Sequence, residues 1–229
     1  MEAELFPRSP VRIAPGAVHV PDWLDADRQR RLLGACREWA RPPAGLRTVR
    51  TPGGGTMTAR QVCLGLHWYP YGYARTAVDG DGAPVKPLPD RLATLAREAV
   101  ATALGPEAVP SEPYDIALIN YYDADARMGM HRDSDERSAA PVVSLSLGDT
   151  CVFRFGNTET RARPYTDVEL RSGDLFVFGG PARLAYHGVP RVCPGTAPPS
   201  LGLTGRLNIT LRVGGFRPDP ERIMGDSPS

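Results

Sequence analysis

The sequence predicts a mainly β fold with flanking helices, of the sandwich or jelly-roll kind. Three observations carry that expectation. From residue 114 the hydrophobic pattern takes a period of two, in short runs at 115–122, 141–147, 151–156, 167–170, 174–179, 183–189 and 206–213. Gly, Asp and Pro separate these runs, and many short, evenly spaced strands close into a sandwich or jelly roll. Two segments upstream have helical spacing instead. At 229 residues the chain is long enough for one substantial domain, and all-β domains of this size often stay undivided.

Each element follows from local chemistry. The opening MEAELFPRSP is acidic and lacks an apolar h-region, so no signal peptide is expected. Asp25 is placed to cap a helix over about 26–40 that puts Leu32, Leu33, Cys36 and Trp39 on one face. Residues 42–87 are rich in Gly, Pro and Tyr, with TPGGG at 51–55 and DGDG at 79–82, and predict hairpins and loops. A second helix lies at about 88–105. It has Pro89 near its start, Leu92, Leu95, Ala96, Ala99, Val100 and Ala103 at helical spacing, and Gly105 as its stop. The Pro- and Gly-rich stretch 190–205 reads as a long connection before the last strand, and 217–229 as a loose tail.

Composition excludes several classes. No run approaches the roughly 18 apolar residues that a membrane span needs, so a cytoplasmic protein without membrane contact is expected. With 27 basic and 26 acidic residues the net charge is +1. That argues against a protein coating long stretches of duplex, yet leaves room for an enzyme that grips a few phosphates. Lys86 is the one lysine, and the arginine bias with abundant Ala, Gly and Pro reads as a GC-rich genome. Cys36, Cys63, Cys151 and Cys193 form no CxxC pair, so zinc-ribbon and thioredoxin readings have little support. Reduced, partly buried thiols are expected, with a disulfide left open by the even count.

The chemistry concentrates near the C-terminal end. His131 and Asp133 are two apart, and in an extended segment both project to one side, with Cα atoms roughly 6.5–7 Å apart. A third ligand must come from a distant strand, and His187 is the best of the remaining histidines. Two imidazoles and a carboxylate are the facial triad that holds non-heme Fe(II) with open positions. A loop histidine bonded to a surface acid, or a zinc site, would use the same residues. In RLNITLRV (206–213), Arg206, Asn208, Thr210 and Arg212 share one face. An ordinary half-buried strand would turn that face to water. Two arginines instead suit a dicarboxylate, because the planar guanidinium fork binds carboxylate in a bidentate way. Asn120 and Tyr122 share a face of the 116–122 run and could bond the same carboxylate.

Taken in order, LINYYDADARMGMHRDSDE (118–136), PVVSLSLGD (141–149), FRFG (153–156), SGDLFVFGGPARLAYHGV (172–189) and RLNITLR (206–212) resemble the bacterial AlkB-type dioxygenases, which repair alkylated nucleobases. The resemblance extends to TPGGGTMT (51–58) and to Trp68 and Gly72–Tyr73. It implies a double-stranded β-helix, a cupin-like jelly roll, at about 114–215. A single catalytic domain would add an N-terminal extension at about 1–44, a nucleotide-recognition lid at about 45–87 and the helix of 88–105 packed on the core.

The resemblance also implies an Fe(II)- and 2-oxoglutarate-dependent dioxygenase that uses O2. His131, Asp133 and His187 would bind the metal. Arg206 would pair with the far carboxylate of 2-oxoglutarate, helped by Asn120, Tyr122 and Asn208, and Arg212 would sit near the chelating end. Trp68 and His131 would sandwich a flipped base, Tyr73 would contact the nucleotide backbone, Asp135 would lie near the exocyclic amino group, and Arg161 would contact the nucleic acid. The implied substrates are 1-methyladenine and 3-methylcytosine in single-stranded or locally opened DNA, with RNA as a second candidate, handled by a monomer. Tyr121 and Phe178 depart from the family pattern, where a basic residue and a Trp are usual. The rival readings are the same chemistry on a modified tRNA base or a protein side chain, and a non-catalytic nucleic-acid-binding module.

Overall fold

A computed structural model describes residues 7–51 and 53–216 of the protein; the tail at 217–229 lies outside the described residues. The chain opens with a hairpin of β1 (Val11–Ala14) and β2 (Ala17–Val20), then α1 (Ala26–Trp39). A second hairpin, β3 (Arg47–Arg50) and β4 (Thr56–Leu64), is followed by a third, β5 (His67–Tyr69) and β6 (Gly72–Ala74), and by α2 (Asp90–Leu104). The rest is β: β7 (Ile116–Tyr122), β8 (Met128–His131), β9 (Val142–Gly148), β10 (Thr150–Phe155), β11 (Thr166–Leu170), β12 (Leu175–Phe178), β13 (His187–Cys193) and β14 (Arg206–Arg212).

The helices start and stop where their sequence dictates. Asp25 caps α1, its carboxylate accepting the Arg28 N–H at 2.7 Å. Gly105 ends α2 at φ +97°, a backbone angle that L residues avoid.

The strands form an eight-stranded sheet in the order β1-β2-β12-β9-β14-β7-β4-β3, a four-stranded sheet β11-β10-β13-β8, and the separate β5-β6 pair. Neighbours pair antiparallel throughout. Both faces of the large sheet are covered. On one, Leu32, Leu33 and Trp39 of α1 and Leu92, Ala96, Ala99 and Val100 of α2 pack against Ile119, Leu145, Leu207 and Ile209. Each fully buried Leu or Ile there contributes on the order of 2 kcal/mol. On the other, Phe153 and Phe155 of the small sheet meet Phe176 and Phe178 of the large one, with centroids 4.9–5.5 Å apart. Helices, large sheet and small sheet make three layers, and the small sheet facing the large one is a jelly roll.

Three features add to the sequence reading or shift its bounds. The N-terminal segment contributes two strands as well as a helix, and β2 pairs with β12 inside the large sheet. Residues 47–50 and 56–64, assigned to a lid by resemblance, are strands of that sheet too, with β4 bonded to β7. The run at 183–189 starts later and ends later than its hydrophobicity suggests. Residues 183–186 follow a short turn of 3-10 helix, and β13 continues through Pro190 to Cys193. Proline is tolerated because Arg154 pairs with Gly188 and Val152 with Arg191, which leaves β13 one extra residue and hence a bulge. Cys36, Cys63, Cys151 and Cys193 are all free thiols, the first three buried.

Candidate metal centre and active site

Between the two sheets the pleat of β14 turns Arg206, Asn208, Thr210 and Arg212 inward. The register sets Asn208 opposite Asn120 on one side and Ser146 on the other, and Arg206 opposite Tyr122. This polar face is not in water: Arg206 is 1% exposed and Arg212 7%. Arg206 donates through Nη2 to the Ser146 hydroxyl at 3.0 Å, while its Nε and Nη1 have no partner. A guanidinium buried with free donors is costly unless an anion shares the site. Asn208 donates to Ser144 Oγ at 2.7 Å, and Asn120 accepts from Gln61 of β4 at 3.0 Å. The Tyr122 hydroxyl lies 3.6 Å from the Met128 sulfur.

The small sheet supplies the other wall. His131 on β8 and His187 on β13 are cross-strand partners, their rings 4.5 Å apart. Asp133 follows β8 and brings its carboxylate to both, Oδ1 3.8 Å from His131 Nε2 and Oδ2 3.7 Å from His187 Nε2. All three ligand atoms lie within 4.8 Å of one another. Each ring has Nδ1 against a backbone carbonyl, Gly129 at 2.9 Å and Ala185 at 3.0 Å. A carbonyl only accepts, so in the neutral ring Nδ1 carries the proton and Nε2 keeps its lone pair for a metal.

Electrostatics agree with a metal centre. Burial holds the His187 pKa down to about 4, keeping the ring neutral and able to ligate. Burial alone would raise Asp133, but Arg212, then His187 and His131, bring it down to about 2, so it is ionised. Asp133 Oδ1 accepts from Arg212 Nη2 at 2.7 Å, whereas Oδ2 is buried without a partner. An ionised carboxylate beside two imidazole lone pairs fits a divalent cation. N and O donors of this set suit iron, with zinc as the competing chemistry.

Outside the triad opens a pocket of about 560 Å³ that shares His131, Asp133, Asn120 and Arg212 with the inner cavity. Trp68, Asp135 and Arg161 line it. The Trp68 indole donates to Asp135 at 2.8 Å. Tyr73 belongs to the same hairpin as Trp68. It is the cross-strand partner of Trp68, its ring packs on Phe216 at 5.4 Å, and its hydroxyl bonds Glu136 and lies 3.3 Å from Arg212. The exposed tyrosine is Tyr71, at the hairpin tip with φ +72° and 82% exposed, and it lines the pocket. Of the two departures, Phe178 sits 5.0 Å from the His187 ring. Tyr121 faces away, its hydroxyl on Thr204 O and its ring under Arg60.

Sequence reasoning missed the groups that hold the triad. Glu136 accepts from Arg212 Nη1 at 2.7 Å and from Arg183 Nη2 at 3.0 Å. Arg183 also bonds the carbonyls of Asp133 at 2.6 Å and Ala140 at 2.9 Å, which fixes the segment after β8. Three acids at 133, 135 and 136 were the available signal, since so dense a cluster needs a buried cation nearby.

Comparison with known proteins places this geometry. The family model of the 2OG-Fe(II) oxygenase superfamily matches residues 16–212. The alpha-ketoglutarate-dependent dioxygenase AlkB homolog of Caulobacter vibrioides is 39% identical over 205 residues, 89% of this chain and 90% of that protein. The DNA N(6)-methyladenine demethylase ALKBH1D of Arabidopsis thaliana is 33% identical over 87% of this chain and 50% of its own length. The solved structure of OsALKBH1 superposes with a TM-score of 0.78 at 31% identity, over 89% of this chain and all of that one.

Proposed function

Because the chain belongs to the 2OG-Fe(II) oxygenase superfamily and is an AlkB-type Fe(II)- and 2-oxoglutarate-dependent dioxygenase, we propose that it oxidatively demethylates N-alkylated nucleobases of the 1-methyladenine and 3-methylcytosine type. The observation that carries this reading is the pairing of two orphaned groups. Asp133 Oδ2, 3.7 Å from His187 Nε2, is buried without a hydrogen-bond partner beside the two imidazoles, and Arg206 holds two free buried donors in the same cavity. One suits a cation and the other an anion; both line the inner cavity, which shares Asp133 with the outer pocket rimmed by Trp68 and Asp135.

His131, Asp133 and His187 would hold Fe(II). When bound, the iron with O2 and 2-oxoglutarate supplies the oxidising power that hydroxylates the N-methyl group, the co-substrate leaving as succinate and CO2. The hydroxymethylated base then sheds formaldehyde. The protein's own part is to bind, orient and exclude. Arg206, with Asn120, Tyr122 and Asn208, would hold the distal carboxylate. Arg212 keeps Asp133 ionised and aimed. Trp68 and His131 would stack a base taken out of its helix, and Asp135 would favour a cationic lesion at its edge. Arg161 would meet the strand, and Tyr73 acts in this reading by bracing Glu136 and Arg212.

Single-stranded or locally opened DNA is the favoured substrate form, because less unstacking is needed. RNA is the second candidate, and the enzyme is read as a cytoplasmic monomer. Among the described residues no helix is long and apolar enough to cross a membrane. The test is mass spectrometry of oligonucleotides carrying 1-methyladenine, 3-methylcytosine or N6-methyladenine, with methylated tRNA and peptide alongside, after incubation with Fe(II), ascorbate and 2-oxoglutarate. Loss of the mass of one CH2 unit, as N–CH3 becomes N–H, with formaldehyde release is expected on the first two. Turnover confined to tRNA or peptide would replace the reading, and tight binding without succinate formation would make the protein a binding module.

A further inference from the structure

The arginines around the mouth of the outer pocket are organised in pairs on tyrosine rings. Arg132 and Arg161 both lie against Tyr186, with guanidinium carbons 5.4 and 5.8 Å from its centroid. Tyr186 directly precedes the ligand His187, and all three residues line the pocket. Farther out, Arg163 and Arg154 lie 5.2 and 4.0 Å from the ring of Tyr165. The loop joining the two groups has a fixed shape. Asn157 Oδ1 accepts the N–H groups of Glu159 and Thr160 at 2.8 Å each, and its amide donates to Pro164 O at 3.2 Å. The Tyr186 N–H donates to Asn157 O at 2.8 Å, which ties the loop to the pocket wall.

These arginines do little for stability. Arg154 is neutralised by Asp167 at 2.7 and 2.8 Å. Arg132, Arg161 and Arg163 are exposed, and among the described residues none has a carboxylate within ion-pair distance. An exposed cation–π contact gives only about 0.5–1 kcal/mol, and gathering three like charges, with Asp167 near Arg163 as a partial offset, works against folding. In a chain of net charge +1, such a cluster marks a polyanion site. The tyrosine rings and guanidiniums beside it add surfaces on which bases can stack.

We propose that Arg132, Tyr186 and Arg161, continued by Arg163 and Tyr165, form a track for the single strand that flanks the target base. The guanidiniums take successive phosphates, and the Arg–Tyr pairs take unpaired bases, in DNA or RNA alike. This rests on the demethylase reading and extends it from one nucleotide to its neighbours on one side.

The test compares KM for methylated single strands of about three and about fifteen nucleotides in the wild type and in Arg163→Ala/Tyr165→Ala, because stacking of roughly 1–3 kcal/mol per base should favour the longer strand. The wild type should prefer the long substrate by about tenfold, and the double variant should lose most of that ratio. Its slope of log affinity against log salt should fall by about 0.7 for each lost phosphate contact. Tyr165→Phe, which keeps the ring, should retain the wild-type ratio. A double variant with unchanged length ratio and salt slope overturns the track. If the wild type turns over neither strand, the demethylase reading fails instead. The track is then judged by fluorescence anisotropy of unmodified labelled oligonucleotides, where equal affinity of wild type and double variant at low salt rejects it.

Discussion

Arg206 and Asp133 are each buried with polar atoms that the fold leaves without a hydrogen-bond partner. Arg206 is buried with two free donors, so replacing it by an apolar side chain of similar length removes a charge that folding does not need. Arg206→Met is expected to melt at or above the wild-type temperature while its KM for 2-oxoglutarate rises by about 100-fold, the loss of roughly two charge-assisted hydrogen bonds. Succinate kinetics together with melting curves with and without 2-oxoglutarate check this; a large drop in melting temperature would make Arg206 structural. For Asp133, Asp133→Ala is expected to lower formaldehyde release to background, at least about 100-fold, and to weaken Fe(II) binding measured by titration. Retained turnover would reject the metal assignment. Both residues are legible in the sequence because each sits in a short pattern, His-x-Asp or strict alternation. Glu136 and Arg183 were not, since their roles come from a pairing between segments 47 residues apart. The contacts of Tyr73 with Glu136 and Arg212 were not legible either, since they follow from its strand pairing with Trp68 and from segments far apart in sequence.

At the scale of elements, the site depends on how closely β8 approaches β13. Gly188 faces the carbonyls of Met128 and Gly129, and a Cβ there would lie 2.7 and 2.9 Å from those oxygens. Backbone oxygens cannot rotate aside as a side chain can, so β8 would have to move away, carrying His131 from its cross-strand partner His187. Gly188→Ala is therefore expected to leave the far-ultraviolet circular dichroism unchanged and to weaken Fe(II) binding by about 10- to 100-fold, the size seen when ligand support is disturbed. Unchanged iron affinity would show that β8 tolerates the displacement. The period-two pattern located most core strands because, as in β9 and β14, apolar residues face one side while Ser144, Asn208 and Thr210 face the polar cavity on the other. It ended too early at β13, where Pro190, read as the start of a connection, lies in a bulge within the strand. It also passed over β1 and β2, whose four-residue strands are too short for a period to register.

Across the whole molecule, the start of the described chain is tied to the turn before β12 at Asp174. This residue is 0% exposed. His19 Nε2 lies 2.9 Å from its carboxylate, Arg8 donates at 2.7 and 3.0 Å, and the N–H groups of Asp22 and Arg171 add bonds at 3.0 and 2.9 Å. The contact fastens the N-terminal hairpin to the large sheet across more than 150 residues of sequence, a pairing no local pattern announces. Burial would raise the Asp174 pKa, but His19 and Arg8 and the backbone donors bring it from 3.8 down to about 2. A carboxylate depressed in the folded state binds its proton more readily when unfolded. Its stabilisation is complete above pH 4 and is lost as pH falls through about 2. A shift of that size is worth about 2 kcal/mol, and in a chain of this length each kcal/mol moves the melting temperature by about 2–4 °C. Asp174→Asn is therefore expected to melt roughly 4–8 °C lower at pH 7, with the gap from the wild type closing between pH 4 and pH 2. A gap that stays constant over that interval would mean that shape complementarity at the turn, rather than the carboxylate's charge, holds the N-terminal hairpin in place.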